Sequence, residues 1–250
     1  MRFGAVGIVA GLVLAGCGSA HGSGAAATPA KPPSVTMRVE HLHSAQPPYS
    51  AVIQVPTLSA AHANAAIRRI NRAITGWVAA EVRSFTHQVE QNLASAKNLP
   101  ASLPESNLHV TASVSLLTAR VVSLRMQIEP YFTGEASPAQ VTQGLTFDLA
   151  TGHRYALSDL FRPHANYLPA LATASTAGLR SFKPAGASCY VGGQPAAATS
   201  SFRSWWLSNK GLVVGFAAGY YTAAYCGPAD VTIHTSAIRG LLRSGGPLGG

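Results

Sequence analysis

The three cysteines of this 250-residue chain are the side chains whose spacing points most directly to chemistry. Residues 14–17 read Leu-Ala-Gly-Cys, so an apolar residue and two small residues precede Cys17. That order has the form of a lipobox, in which a peptidase accepts the small residues in a narrow cleft and the cysteine is acylated. Arg2 and the short apolar run of residues 5–14 come before it, as in an export signal. We therefore predict a lipoprotein signal peptide over residues 1–16 and lipidation of Cys17; the alternatives are a plain secretory signal or a short buried helix.

The two remaining cysteines, Cys189 and Cys226, lie in the last third of the chain. In an oxidising compartment, an even pair of cysteines most simply forms one disulfide bond. We predict that bond, with two free thiols as the alternative.

No arrangement of side chains indicates catalysis. A strained Gly-x-Ser-x-Gly turn, which presents a serine nucleophile to a base, does not occur in the folded part of the sequence. Glu129 and Glu135 flank an aromatic loop and are the only suggestive carboxylate pair for glycan cleavage, but solvated carboxylates explain them as well. His41 and His43 share one strand face without a third metal ligand. We therefore expect no enzyme activity, no metal and no cofactor.

Aromatic residues are the better candidates for a binding surface. Tyrosine and tryptophan rings with polar tips favour protein interfaces and stacking on glycans. The candidate ligand-binding residues are Tyr131, Gly134, Glu135, Trp205, Tyr220, Tyr221 and Tyr225. The competing interpretation is core packing around the disulfide. Since neighbouring residues of a strand point to opposite faces, at least one of Trp205 and Trp206 is expected in the core.

Composition restricts the class of protein and of partner. Hydrophobic residues make up 47% of the chain, which argues against disorder, while residues 17–34 are rich in Gly, Ala, Ser, Thr and Pro and predict a flexible tether. One domain over residues 35–245 is expected to follow. The net charge of +9 favours anionic lipid or acidic wall polymers as neighbours. Nucleic acid is not expected, because the basic residues are scattered and the predicted compartment is extracytoplasmic.

Hydrophobic periodicity predicts the elements that position these residues. A long amphipathic helix is expected from a cap at Ser59 to about residue 91, with apolar residues from Ile67 to Phe85 at three- and four-residue steps. Shorter helices are expected at residues 166–182 and 236–242. Strands are predicted at residues 35–43, 49–55, 108–117, 121–128, 145–149, 154–157, 205–207, 212–216 and 231–234. Without a repeating βαβ rhythm, the predicted fold class is α+β, with a mainly antiparallel sheet packed with one long and one shorter helix.

Several short motifs resemble an extracellular domain of unknown function. They are Tyr-Phe-Thr-Gly at 131–134, Leu-Thr-Phe-Asp-Leu at 145–149, Leu-Ser-Asp-Leu-Phe at 157–161, Gly-Leu-Val-Val-Gly-Phe at 211–216 and the segment 220–227. That domain forms the outer part of the sigma-V anti-sigma factor, which binds lysozyme, and occurs in secreted actinobacterial immunogenic proteins and small lipoproteins. The family's usual Thr-Gly-Gly-Ala-His-Gly is Thr-Gly-Glu-Ala-Ser here at 133–137. The resemblance implies a similar fold and no established enzymatic activity.

These observations lead to one expected function and two alternatives. We expect a non-catalytic lipoprotein that is anchored in the cell membrane through Cys17 and exposed on its extracytoplasmic face. There it would bind a protein or glycan of the envelope. The alternatives are a peptidoglycan-directed hydrolase and a lipid carrier.

Overall fold

The first five strands form one sheet in sequence order. The computed structural model of the chain describes residues 32–60, 64–95, 100, 102–186 and 188–249. The strands are β1 (Ser34–Ala45), β2 (Pro48–Ser59), β3 (Ser106–Leu117), β4 (Val121–Tyr131) and β5 (Val141–Asp148). Neighbours pair antiparallel except β2 and β3, which run parallel from Tyr49↔Ser106 to Ile53↔Val110. A parallel pair needs a crossover connection, and the long helix supplies it.

The end of β2 departs from the prediction. β2 continues through Pro56 to Ser59 rather than stopping at the proline. Pro56 lies beyond Ile53, the last residue paired with β3, so its missing N–H removes no hydrogen bond on that side. Where that pairing stops, the Gln54 side chain takes over and accepts a hydrogen bond from the Ala112 N–H at 3.0 Å.

The long helix, α1 (Ala65–Ser95), buries the predicted apolar stripe against this sheet. Ile70, Ile74 and Phe85 are at most 2% exposed. The prediction of Ser59 as the cap was wrong, because Ser59 is still paired in β2. Asn64 caps the helix instead: its Oδ1 accepts hydrogen bonds from the Ala66 N–H at 2.8 Å and the Ile67 N–H at 3.4 Å.

The second half contains shorter elements. They are α2 (Leu168–Ser181), β6 (Trp205–Ser208), β7 (Gly211–Phe216), β8 (Ala229–His234) and α3 (Thr235–Ile238). The three strands form an antiparallel sheet in the order β6-β7-β8. The predicted strand at 154–157 is reduced to one bridge between Phe147 and Arg154, because the chain turns into a 3-10 helix at Leu157–Leu160.

The two sheets pack closely where β6 crosses β4 and β5. A Cβ built on Gly144 of β5 would lie 1.7 Å from the Trp205 carbonyl oxygen, so no other residue fits without moving a backbone. The Ser123 hydroxyl of β4 accepts a hydrogen bond from the Leu207 N–H at 2.9 Å. This seam separates a first core, between α1 and the five-stranded sheet, from a second core, between α2 and the three-stranded sheet.

The predicted fold class is confirmed: the described residues form eight strands in two mostly antiparallel sheets, with one long helix and shorter ones. Among the described helices, none is both long and apolar enough to cross a bilayer. The predicted signal peptide, the lipidation site Cys17 and most of the tether (residues 17–34) lie outside the described residues.

Candidate binding surface

The predicted disulfide between Cys189 and Cys226 is confirmed. It closes a loop of 37 residues with the two Cα atoms 6.1 Å apart. Two segments meet at the bond, residues 189–193 and 219–227, and together we name them the stapled lobe. Backbone hydrogen bonds run alongside the disulfide, from the Val191 N–H to the Tyr221 carbonyl at 3.0 Å and from the Ala223 N–H to the Cys189 carbonyl at 2.8 Å. The lobe is therefore held by a covalent link and by main-chain pairing.

The stapled lobe carries the most exposed large apolar side chains among the described residues. Tyr225 is 83% exposed, Tyr220 is 76% exposed and Val191 is 61% exposed. Every other exposed large apolar side chain of the described chain is at most 50% exposed. Exposed apolar side chains that are grouped on one surface are candidates for contact with a partner, so the stapled lobe is a candidate binding surface.

Neighbouring aromatic residues fix the lobe to the body of the protein. The Tyr221 ring meets the Phe216 ring of β7 edge-on, with centroids 5.5 Å apart. The Arg180 guanidinium of α2 lies 5.9 Å from the centre of the Tyr190 ring. The Tyr190 hydroxyl donates to the Gly193 carbonyl. The exposed rings thus stand on a base with defined contacts to a strand and a helix.

Two of the predicted ligand-binding residues lie in or beside the second core. Trp205 is 8% exposed and packs among apolar side chains of the second core. Tyr221 is half-buried against the same core. Core packing, the alternative interpretation of these residues, therefore describes Trp205. Tyr221 packs against the same core, between the exposed Tyr220 and Tyr225 in sequence.

The loop after β4 forms a separate candidate surface. Tyr131 ends β4 and is half-buried, whereas Gly134 and Glu135 are exposed in the loop. Gly134 has φ of 94°, a conformation that favours glycine. The Asn92 side chain near the end of α1 donates to the Thr133 carbonyl at 3.0 Å, so this loop is tied to the helix of the first core.

A row of polar side chains follows β4 at two-residue spacing. Asp230 of β8 accepts hydrogen bonds from Arg125, and Arg125 donates to Gln127 at 3.0 Å. Gln127 and Gln140 both donate to Glu129, at 2.6 and 3.3 Å. Partial burial raises the pKa of the Asp230 carboxyl, and the Arg125 charge opposes that rise. The row links the two sheets, and its members satisfy one another.

The candidate carboxylates for glycan cleavage are engaged in different hydrogen bonds. Glu129 belongs to the polar row, whereas the Glu135 carboxylate accepts from the Phe132 N–H at 3.3 Å. His41 and His43 are exposed on β1. Throughout the described ranges, no three His, Cys, Asp or Glu side chains come together in a group that could hold a metal ion.

Sequence reasoning missed Val191 and the polar row. Val191 stood in a Gly- and Ala-rich segment without periodicity, and only its pairing with Tyr221 places it beside the tyrosines. The row had a detectable signal, since Arg125, Gln127 and Glu129 alternate with apolar residues along β4. Asp230 lies in β8 and completes the row from the other sheet.

Comparison with known proteins identifies the fold. No family model matches the chain, and no curated protein matches its sequence at a significant level. A DUF3298 family member from Bacteroides fragilis superposes with a TM-score of 0.57 at 17% identity, over 85% of this chain and 93% of that one. A DUF3298 family protein from Pseudomonas aeruginosa PAO1 gives 0.59 at 11% identity, over 88% and 98%. At such identities the likeness concerns the fold alone: this chain has the fold seen in DUF3298 proteins, a domain of unknown function.

Proposed function

We propose that the protein is a non-catalytic binding module of the cell envelope that contacts a protein or glycan ligand through the stapled lobe. One observation carries this proposal: Tyr220 and Tyr225 are exposed on a segment that a disulfide and main-chain hydrogen bonds hold in place. A lipid on Cys17 would keep the module at the extracytoplasmic face of the cell membrane. Residues 17–34 would give it reach.

Tyrosine is well suited to this role. Its ring supplies a large contact area at the cost of only two side-chain torsions, and its hydroxyl forms a hydrogen bond at the rim. Because the lobe is already ordered, binding need not fix a flexible loop, and less of the interaction energy is lost to ordering. The same rings serve on a protein surface or against a sugar face.

The motif resemblance supports a binding role more narrowly. Residues 220–227, which form half of the stapled lobe, are among the motifs that resemble the outer domain of the sigma-V anti-sigma factor. That relative binds lysozyme, so a secreted protein of the lysozyme type is a reasonable first protein probe. The departure at residues 133–137 falls in the other candidate loop and leaves the stapled lobe untouched.

A lipid carrier is the second candidate, and a groove between β1, β2 and α1 favours it. The groove has a volume of about 310 Å³ and is lined by apolar side chains, including Leu42, Val55 and Val78, with Glu40 and Arg83 among the lining residues. Ligand pockets begin at about this volume. A carrier would copurify with lipid, which mass spectrometry of the purified chain would detect.

The test of the main proposal compares two matched pairs of substitutions in the full chain. Tyr220→Ser with Tyr225→Ser removes both exposed rings, and Val39→Ser with Val141→Ser removes two exposed apolar side chains of the five-stranded sheet. Binding to purified peptidoglycan and to lysozyme is measured for each by sedimentation and by calorimetry. The tyrosine pair should weaken binding to one of these probes by about tenfold or more, because exposed rings dominate such contacts.

Three results would contradict the proposal: no binding of the unmodified chain to either probe, equal loss in the two pairs, or release of soluble fragments from peptidoglycan. The last result would favour the hydrolase.

A separate experiment tests the lipid anchor. Cys17→Ser should move the protein from the membrane fraction to the soluble fraction. Continued dependence on detergent would exclude acylation at this cysteine.

A further inference from the structure

The charges of the chain are divided unevenly along the sequence. From residue 162 to the end there is one acidic residue, Asp230, and it is paired with Arg125 at 2.9 Å. The same stretch has seven basic residues: Arg162, Arg180, Lys183, Arg203, Lys210, Arg239 and Arg243. The positive charge of the protein is therefore concentrated in its second half.

Three of these arginines line one pocket at the corner where the chain returns after α3. The pocket has a volume of about 500 Å³, and Arg162, Arg239 and Arg243 surround it together with the hydroxyls of Thr235 and Ser244. No acidic residue is among its lining residues. Among the described residues that line the pocket, every charged side chain is an arginine.

The backbone that carries these arginines is well ordered by hydrogen bonds. The Arg162 N–H donates to the Leu241 carbonyl, and the Arg243 N–H donates to the Leu160 carbonyl, both at 2.9 Å. Phe161 and Leu242 form a bridge between them and are both buried. Two short segments distant in sequence are thus locked side by side, and their arginines project from a fixed frame.

The guanidinium groups differ in how they are used. Arg162 donates to the Gly240 carbonyl, which orients its side chain across the corner. Among the described residues, the exposed side chains of Arg239 and Arg243 have neither a hydrogen-bond acceptor nor an ion-pair partner. Asp159, the carboxylate nearest to Arg162 in sequence, accepts a hydrogen bond from the Ala156 N–H at 2.8 Å and lies 3.1 Å from the His153 ring nitrogen. Asp230, the carboxylate nearest to Arg239 in sequence, is paired with Arg125. Two positive charges are left free to meet a ligand.

A second pocket of about 290 Å³ shares Thr235 and Leu248 with the first. Arg120 lines it and donates to the Gly245 carbonyl at 2.9 Å. This contact ties the last described residues to the turn before β4. The corner therefore gathers a fourth arginine, again without a carboxylate among the lining residues.

The geometry points to an anion-binding site at this corner, in which Arg162, Arg239 and Arg243 hold a phosphodiester group. Planar guanidinium groups donate two parallel hydrogen bonds to phosphate oxygens, and hydroxyls such as those of Thr235 and Ser244 complete the shell. Anionic lipid headgroups and glycerol-phosphate polymers present the same group. The site uses none of the residues of the stapled lobe and goes beyond the function proposed above.

The experiment uses the full chain in micelles of a neutral detergent. One arm titrates a soluble glycerol-phosphate oligomer, and the other titrates phosphatidylglycerol dispersed in the same detergent. Calorimetry measures the heat of binding in both arms. Arg239→Gln with Arg243→Gln is compared with Arg68→Gln with Arg72→Gln, which removes the same charge from the exposed side of α1. The first pair should weaken binding about tenfold or more, because hydrogen bonds to charged groups are stronger than those between neutral groups, and the second less than about twofold.

Each outcome decides the proposal. Selective loss with the oligomer identifies a polymer phosphate, and selective loss with phosphatidylglycerol identifies a headgroup; either supports the site. Equal loss of binding in both arginine pairs would show that overall charge causes the effect, and it would overturn the proposed site. Failure of the unmodified chain to bind in both arms would also overturn the site. Tyr220→Ser with Tyr225→Ser should leave this binding unchanged, so failure of the stapled-lobe proposal would not affect it.

Discussion

The two halves of the molecule achieve order by different means. In the first, strands of 8 to 12 residues and a 31-residue helix enclose one apolar core. In the second, strands of 4 to 6 residues and a 14-residue helix leave long connections, and a disulfide pins the longest of them. The exposed tyrosines and the arginine pocket both belong to the second half. Regular elements stabilise the first half, and the half with more irregular backbone carries both proposed binding sites.

The seam between the halves is the place where a single methyl group should do most damage. Gly144→Ala would put a Cβ 1.7 Å from the backbone carbonyl oxygen of Trp205 and 2.8 Å from the Trp206 Cβ, both in the facing sheet. We expect the free energy of unfolding to fall by about 3 kcal/mol or more, at the upper end of overpacking effects, because two sheets must separate to admit the atom. Chemical denaturation measures the change. A loss below about 1 kcal/mol would show that the halves are loosely joined.

Removing the disulfide should weaken the second half selectively. Replacing Cys189 and Cys226 by serine frees a 37-residue loop, which costs about 3–4 kcal/mol in the chain-entropy description. Thermal unfolding with and without reductant gives the same comparison on the unmodified chain. Amide exchange should rise in residues 189–193 and 219–227 and stay unchanged in α1. Uniform exchange in both halves would contradict the separation drawn between them.

A tyrosine packed against the second core makes the free energy of unfolding depend on pH in the alkaline range. Burial, together with the hydrogen bond to Asp148, raises the pKa of Tyr155 to about 12. The folded state therefore prefers the neutral phenol; this contribution is complete below pH 10 and disappears as the pH rises through about 12. Tyr155→Phe should reduce the dependence of the free energy of unfolding on pH between 10 and about 12, measured by chemical denaturation at a series of pH values. An unchanged slope would mean that other groups control alkaline unfolding.

The smallest expected change is a gain. Gly76 lies in the middle of α1, and a Cβ at this position would meet no atom within 4 Å. Gly76→Ala should stabilise the protein by about 0.5–1 kcal/mol, because alanine loses less backbone entropy on entering a helix. Compared with Gly144→Ala, this substitution should show that the same added methyl group stabilises the protein at an open position and destabilises it at a closely packed one. Destabilisation would indicate a contact on the outer face of α1.

The first half was largely predictable because its signals are periodic. The stripe from Ile67 to Phe85 and the alternation along β1 and β4 follow directly from helix and strand geometry. The cap was missed because Ser59 and Asn64 are both good capping residues, and the pairing of β2 with β1, which no local pattern reveals, decides between them.

The candidate surfaces were predictable only in part. The cysteine pair and the tyrosines at 220 and 225 could be named, because their residue types are informative alone. The exposure of Val191 and the burial of Trp205 depend on how segments meet. The arginine pocket combines residues 162, 239 and 243, and no local sequence pattern relates residue 162 to the other two. Its signal exists only in the folded chain.

The parallel pairing of β2 with β3 has a consequence for the order in which the molecule folds. Tyr49 pairs with Ser106, so the pairing of β2 with β3 cannot form until α1 and the start of β3 are available. Contacts at such separations delay closure, since the intervening chain must first be drawn together. All strands of the five-stranded sheet end by Asp148, and both cysteines of the disulfide follow it in the sequence. A chain that enters an oxidising compartment from its amino-terminal end can thus bury its first core early and form the disulfide on an existing scaffold.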